Sequence, residues 1–150
     1  MANSNIKSDS LSKFTPKAVP GPKTILLVDY VRTELSTFNE RAFSDPDALV
    51  LAQFAYTRLH DQDYAFAPHC EPVFIKDTYR AENFEFMYSN IPDREKNIQL
   101  ITAMAASPRF RDIRISDYED KHDSDLGLQF SAMTLETKEG ILISFRGTDS

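Results

Sequence analysis

Apolar positions follow a helical period in the upstream part of the chain and a period of two downstream of residue 108. In FSDPDALVLAQFAYTRL (43–59), Leu51, Ala55 and Leu59 share one stripe, with Val50 and Phe54 beside it. Asp45 is placed to cap this helix, Pro46 suits its first turn, and Asp47 faces the positive end of its dipole. Such a face needs a partner surface, so the helix packs into a core. PDREKNIQLITAMAAS (92–107) predicts a second helix, opened by Pro92, with Asp93 and Glu95 suited to its start. Its stripe is Ile98, Ile101 and Ala105 with Met104 alongside, and Pro108 marks its end. TILLVDYVRTEL (24–35) is the first ordered piece. VFIKDTY (73–79) reads either as a short strand or as the lead-in to a helix.

Downstream, FRDIRISDY (110–118) holds Ile113 and Ile115 at period two, and LQFSAMTLE (128–136) predicts a second strand. Thr137-Lys138-Glu139-Gly140 then closes a hairpin onto ILISF (141–145). In that last strand Ile141, Ile143 and Phe145 face one way, Leu142 and Ser144 the other. Both faces are largely apolar, as in a central strand covered on both sides. The two upstream helices supply part of that cover; the rest is expected from sequence beyond Ser150.

Composition narrows the class. A chain of 150 residues, 41% hydrophobic and 27% charged, suits one soluble globular domain. The net charge of −6 argues against non-specific binding to nucleic acid or to an anionic membrane surface. Cys70 is the single cysteine, so no disulfide forms within the chain. Residues 1–23, rich in Ser, Lys, Asn and Pro, read as a flexible leader without the apolar stretch of a signal peptide. No apolar run approaches the ~20 residues of a membrane span. A cytoplasmic location follows as the default.

The chemistry lies at the end of the last strand, where ILISF runs into Arg146-Gly147-Thr148. A strand ending in a small polar turn can present backbone N–H groups to a developing oxyanion, as the loop after the third strand does in α/β-hydrolases. Gly147 shapes such a turn, the Thr148 amide and hydroxyl are the candidate donors, and Arg146 ties the loop down by charge-assisted hydrogen bonds. The rival groups have blander readings. His60 follows a helix end and reads as surface. His69 adjoins Cys70 in APHCEP, and sequence neighbours seldom point at each other, so this is loop packing. His122 lies in DYEDKHDSD, whose five acids lack the alternation and central glycine of a calcium loop; it reads as a solvated loop. Phe84, Phe86 and Tyr88 alternate in NFEFMY, an acyl-pocket lining or, more simply, a packed strand or turn. No metal spacing, phosphate loop or other cofactor signature is present.

ILISFRGTD resembles the strand and loop of class 3 lipase-like α/β-hydrolases. FSDPDALVLAQFAY (43–56), AMAASPRFRDIRISDY (103–118) and LQFSAMTLETKEGILISFRGTD (128–149) together resemble a largely bacterial family of lipase-like proteins of unknown function, over roughly residues 24–150. The resemblance implies the N-terminal portion of an α/β-hydrolase-like domain, with two helices and an antiparallel hairpin leading into the central sheet. It also implies a parent domain that hydrolyses ester- or lipid-like small molecules with a serine nucleophile. The family pattern continues with Gly-x-Ser-x-Gly, an acid and a histidine. The chain contains no Gly-x-Ser-x-Gly, so nucleophile, acid and base are expected from a C-terminal half outside it, and these residues alone are expected to be inactive. The alternatives are a non-catalytic binding protein on a hydrolase-like scaffold and a small independent α+β interaction domain.

Overall fold

A computed structural model of the chain describes residues 26–59 and 73–146. The leader at 1–23, His60, His69, Cys70, Gly147 and Thr148 lie outside the described residues. The elements in order are helices α1 (Leu27–Thr33) and α2 (Asp45–Phe54), strand β1 (Val73–Phe74), a 3-10 turn at Ile75–Thr78 and another at Ala81–Asn83. There follow α3 (Phe84–Met87), α4 (Arg94–Ala106), β2 (Arg114–Asp123), β3 (Leu128–Thr137) and β4 (Gly140–Arg146). The strands form one antiparallel sheet in the order β1-β2-β3-β4. The protein is thus mixed α/β, with its helices and 3-10 turns upstream of an antiparallel meander.

The helix at 43–59 forms, but its regular turns stop at Phe54 and its cap is Ser44 rather than Asp45. The Asp47 carboxylate folds back to accept bonds from both the Ser44 amide and hydroxyl at 2.9 Å. Val50, Leu51, Phe54, Ala55 and Leu59 are all buried as the stripe predicts. Its continuation past the helix end shows that tertiary packing, not helical propensity, holds Ala55 and Leu59 in place. The second helix starts at Arg94, two residues after Pro92, from a left-handed Asp93 (φ 54°). Its buried face is turned from the expected stripe: Asn97, Leu100, Ile101, Ala103 and Met104 are buried, while Ile98 and Ala105 are only partly so. The reason is polar. The Asn97 side chain accepts from Gln53 at 2.7 Å and donates to the Pro92 carbonyl at 3.1 Å, which allows an amide to occupy the interior.

Both readings of 73–79 hold in part, since the two-residue strand β1 runs directly into a 3-10 turn. NFEFMY is not a strand. Phe84–Met87 form one helical turn, so Met87 and Tyr88 go inward while Phe86 stays exposed. Tyr79, Phe84 and Tyr88 meet edge to face, with centroids 5.6 and 6.0 Å apart.

One correction concerns the sheet. The acidic run is not a loop, because β2 continues to Asp123 and the connection to β3 is the short turn 124–127, with Gly127 at φ 60°. Among the described residues β4 is the last strand of the sheet and pairs on one side only, with β3. Its inward residues Ser144 and Arg146 are buried, but Ile141, Ile143 and Phe145 are 71%, 55% and 59% exposed. Period-two apolarity on both faces therefore marks a surface left bare among the described residues, not one covered by them.

Candidate functional site

Registration across the three long strands decides what lies at the end of β4. Ile113 and Ile115 begin the inward face of β2, but Ser116 is a bulge: Ile115 pairs with Leu135 and Asp117 with Thr134. One extra residue reverses the alternation, so the inward positions become Tyr118 and Asp120. Three cross-strand rows result on the inner face. Ile115, Leu135 and Leu142 form the first, Tyr118, Met133 and Ser144 the second, and Asp120, Ser131 and Arg146 the third. The face grades from wholly apolar to wholly polar as it approaches Gly147.

The last row is enclosed. The Arg146 side chain is 2% exposed and that of Asp120 16%. Arg146 Nη2 donates to Asp120 Oδ1 at 3.4 Å, and the Tyr118 hydroxyl donates to Asp120 Oδ2 at 3.3 Å. Among the described residues Arg146 Nη1 is buried without a hydrogen-bond partner. Burial, above all, raises the pKa of the Tyr118 phenol, and the Asp120 charge adds to the rise. Tyr118 is therefore a neutral donor at physiological pH. One row back, the Ser144 hydroxyl donates to the Leu51 carbonyl at 3.2 Å and fastens β4 to α2.

A second arginine, Arg109, is also buried. Arg109 Nε and Nη2 grip Asp47 Oδ1 and Oδ2 at 2.8 and 2.6 Å. Nη1 donates to the carbonyls of Ser36 and Arg41, and Nη2 also donates to that of Ala42, at 2.9, 3.0 and 3.0 Å. Every guanidinium N–H is used. Phe38 lies against the cation, 4.1 Å from its ring centroid. Burial pushes the Asp47 carboxyl up, but the bonds from Arg109, Ser44 and Tyr30 outweigh it and hold its pKa below the ordinary carboxylate value. Asp47, expected only to face a helix dipole, is the hub that fastens the segment 34–44 to the core. The Arg109 site binds its own chain and offers nothing to a ligand.

Of the sequence-derived site residues, the structure places Arg146 at the end of the inner face, one residue before Gly147; Gly147 and Thr148 are outside the described residues. The backbone of His122 is in β2, not in a loop. Asp120 and Tyr118 were missed because only the bulge at Ser116 turns them inward, and Ser131 because only the strand register sets it between Asp120 and Arg146. Among the described residues no group of His, Cys, Asp and Glu is arranged to hold a metal ion, and no helix is long and apolar enough to cross a membrane.

Fold and site together define a mixed α/β unit whose antiparallel sheet ends in a buried polar row. Residues 104–150, which include all of β2, β3 and β4, match the family model described as Mbeg1-like. No curated protein and no solved structure matches the chain.

Proposed function

We propose that the chain is the N-terminal portion of an α/β-hydrolase-like domain of lipase or esterase type, whose substrate is an ester- or lipid-like small molecule and whose default location is cytoplasmic. The Thr148 amide and hydroxyl serve as oxyanion donors, Gly147 shapes the turn, and Arg146 anchors it. A serine nucleophile and its acid and base come from residues outside these 150. Neither metal nor cofactor is called for, since acyl transfer to serine needs only a base and oxyanion donors. The observation that carries this reading is the position of Arg146: buried on the inner face and held to Asp120, it stands immediately before Gly147-Thr148. A loop that must hold an amide within a few tenths of an ångström of a transition state needs such a fixed root.

The test is direct. The gene downstream of Ser150 should encode Gly-x-Ser-x-Gly within about 100 residues, the reach of a single domain. The polypeptide carrying both parts should hydrolyse short-chain p-nitrophenyl esters and be labelled by a fluorophosphonate at that serine. A stop codon directly after Ser150, with a cooperative melt of the chain alone, overturns the proposal. It favours instead the independent interaction domain, a reading supported by the exposed apolar stripe of Ile141, Ile143 and Phe145.

A further inference from the structure

We propose that the cavity between α1 and α4 is a binding site for an apolar dipeptide with free termini. The cavity encloses about 460 Å³, within the range of small-molecule sites. Its walls are the two helices with the residues that lead into them, and Gln53 of α2. No residue of β4 or of the turn after it takes part, so the proposal stands apart from the hydrolase reading.

Burial sorts the lining into three kinds of surface. Leu27 and Val28 are half-buried and Leu100 is buried; together they form an apolar wall. Buried Asn97 and half-buried Gln53 supply neutral hydrogen-bonding groups. Gln53 Nε2 donates to Asn97 Oδ1 at 2.7 Å, and Asn97 Nδ2 donates to the Pro92 carbonyl at 3.1 Å, which fixes both amides in place. Besides the N–H given to Asn97, the Gln53 amide has a second N–H and a carbonyl oxygen. The charged groups stand at the rim. Asp29 and Arg32 are exposed on α1, and the side chains of Asp93 and Lys96, at the start of α4, are 65% and 69% exposed.

Each wall thus carries one acid and one base three residues apart. A ligand of a single charge meets a repelling group for every attracting one, whereas a zwitterion finds a partner for each end. The spacing sets its length. Residues three apart on a helix lie about 5–6 Å apart at Cβ. One amino acid spans at most ~3.5 Å, too little to reach both signs, and two residues span ~7 Å. The peptide bond joining those two offers an N–H and a carbonyl, the complement of the Gln53 amide. Apolar side chains on the ligand bury against Leu27, Val28 and Leu100.

The experiment is an NMR titration of the ¹⁵N- and methyl-labelled 150-residue chain with L-leucyl-L-leucine. Saturable shifts are expected at the Gln53 and Asn97 side-chain amides and at the methyls of Leu27, Val28 and Leu100, with a Kd of about 0.1–1 mM. Acetylating the ligand's amine, or amidating its carboxylate, should each weaken binding about fivefold. Arg32→Gln with Lys96→Gln should do the same for the uncapped ligand, and so should Asp29→Asn with Asp93→Asn. All four groups are exposed, and an asparagine accepts the left-handed backbone of position 93 (φ 54°), so both double variants keep the fold. Absence of a saturable shift up to about 10 mM overturns the proposal. So does undiminished binding of both capped ligands, or of the uncapped one to both double variants, since recognition of charge is then absent. Leucine binding as tightly as leucyl-leucine contradicts the length argument and overturns the dipeptide assignment.

Discussion

Arg109 and Arg146 are both buried, both face a carboxylate, and differ in how completely they are satisfied. Arg109 spends every N–H on Asp47 and three carbonyls and lies against an aromatic ring. Among the described residues Arg146 makes one long bond to Asp120 and leaves Nη1 without a partner. A buried cation is tolerated only when its donors are occupied. The closed site has reached that condition and is a device of stability. The open one has not among the described residues, and it stands one residue before the proposed oxyanion turn in the sequence.

The contrast can be broken in order of expected effect. Arg109→Met should be the most damaging change, costing about 3–5 kcal/mol in denaturant unfolding because it leaves Asp47 buried and unpaired. Arg109→Lys should recover little of this, as an ammonium cannot supply the planar fork. A double-mutant cycle sharpens the comparison: the coupling of Arg109 with Asp47 should exceed that of Arg146 with Asp120, which a single 3.4 Å contact limits to about 1 kcal/mol.

The pH dependence has a definite sign. Asp47 has a depressed pKa when folded, so the unfolded chain binds more protons as pH falls below about 4. Its contribution is present above that range and lost as pH drops through the folded value. Acid unfolding of the wild type should show this loss, and Asp47→Asn should remove it while lowering stability at neutral pH. The smallest effect belongs to the bare face of β4: Ile143→Thr should change stability by less than about 0.5 kcal/mol. Ser144→Ala on the opposite face should cost about 1 kcal/mol, through loss of the bond to Leu51.

Much of the fold was legible because it rests on local rules. The stripe from Val50 to Leu59, Pro108 after the second helix and the hairpin at 137–140 each follow from side-chain spacing or turn chemistry. What was not legible depends on pairings between distant positions. Nothing within DYEDKHDSD reveals that a bulge at Ser116 will turn Tyr118 and Asp120 inward. Asp47 has the look of a first-turn acid until Arg109, 62 residues away, closes on it. Asn97 displaces the expected stripe of α4 only because Gln53 is there to receive it. For β4 the alternation was right, and an apolar pair of faces does not by itself state what covers the outward one, which is bare among the described residues. Arg146 was found because it adjoins the one motif in the chain; its partners were found only through the register of three strands.

The central claim is that the root at Arg146 holds an oxyanion donor in place. It is tested most directly by the steady-state kinetics of Thr148→Val in the polypeptide that carries these residues and those encoded after them. The account predicts that kcat for a p-nitrophenyl ester falls by about tenfold or more while KM stays within about twofold, the mark of a bond made in the transition state. A wild-type protein without ester turnover, or a variant whose kcat equals that of the wild type, would contradict it.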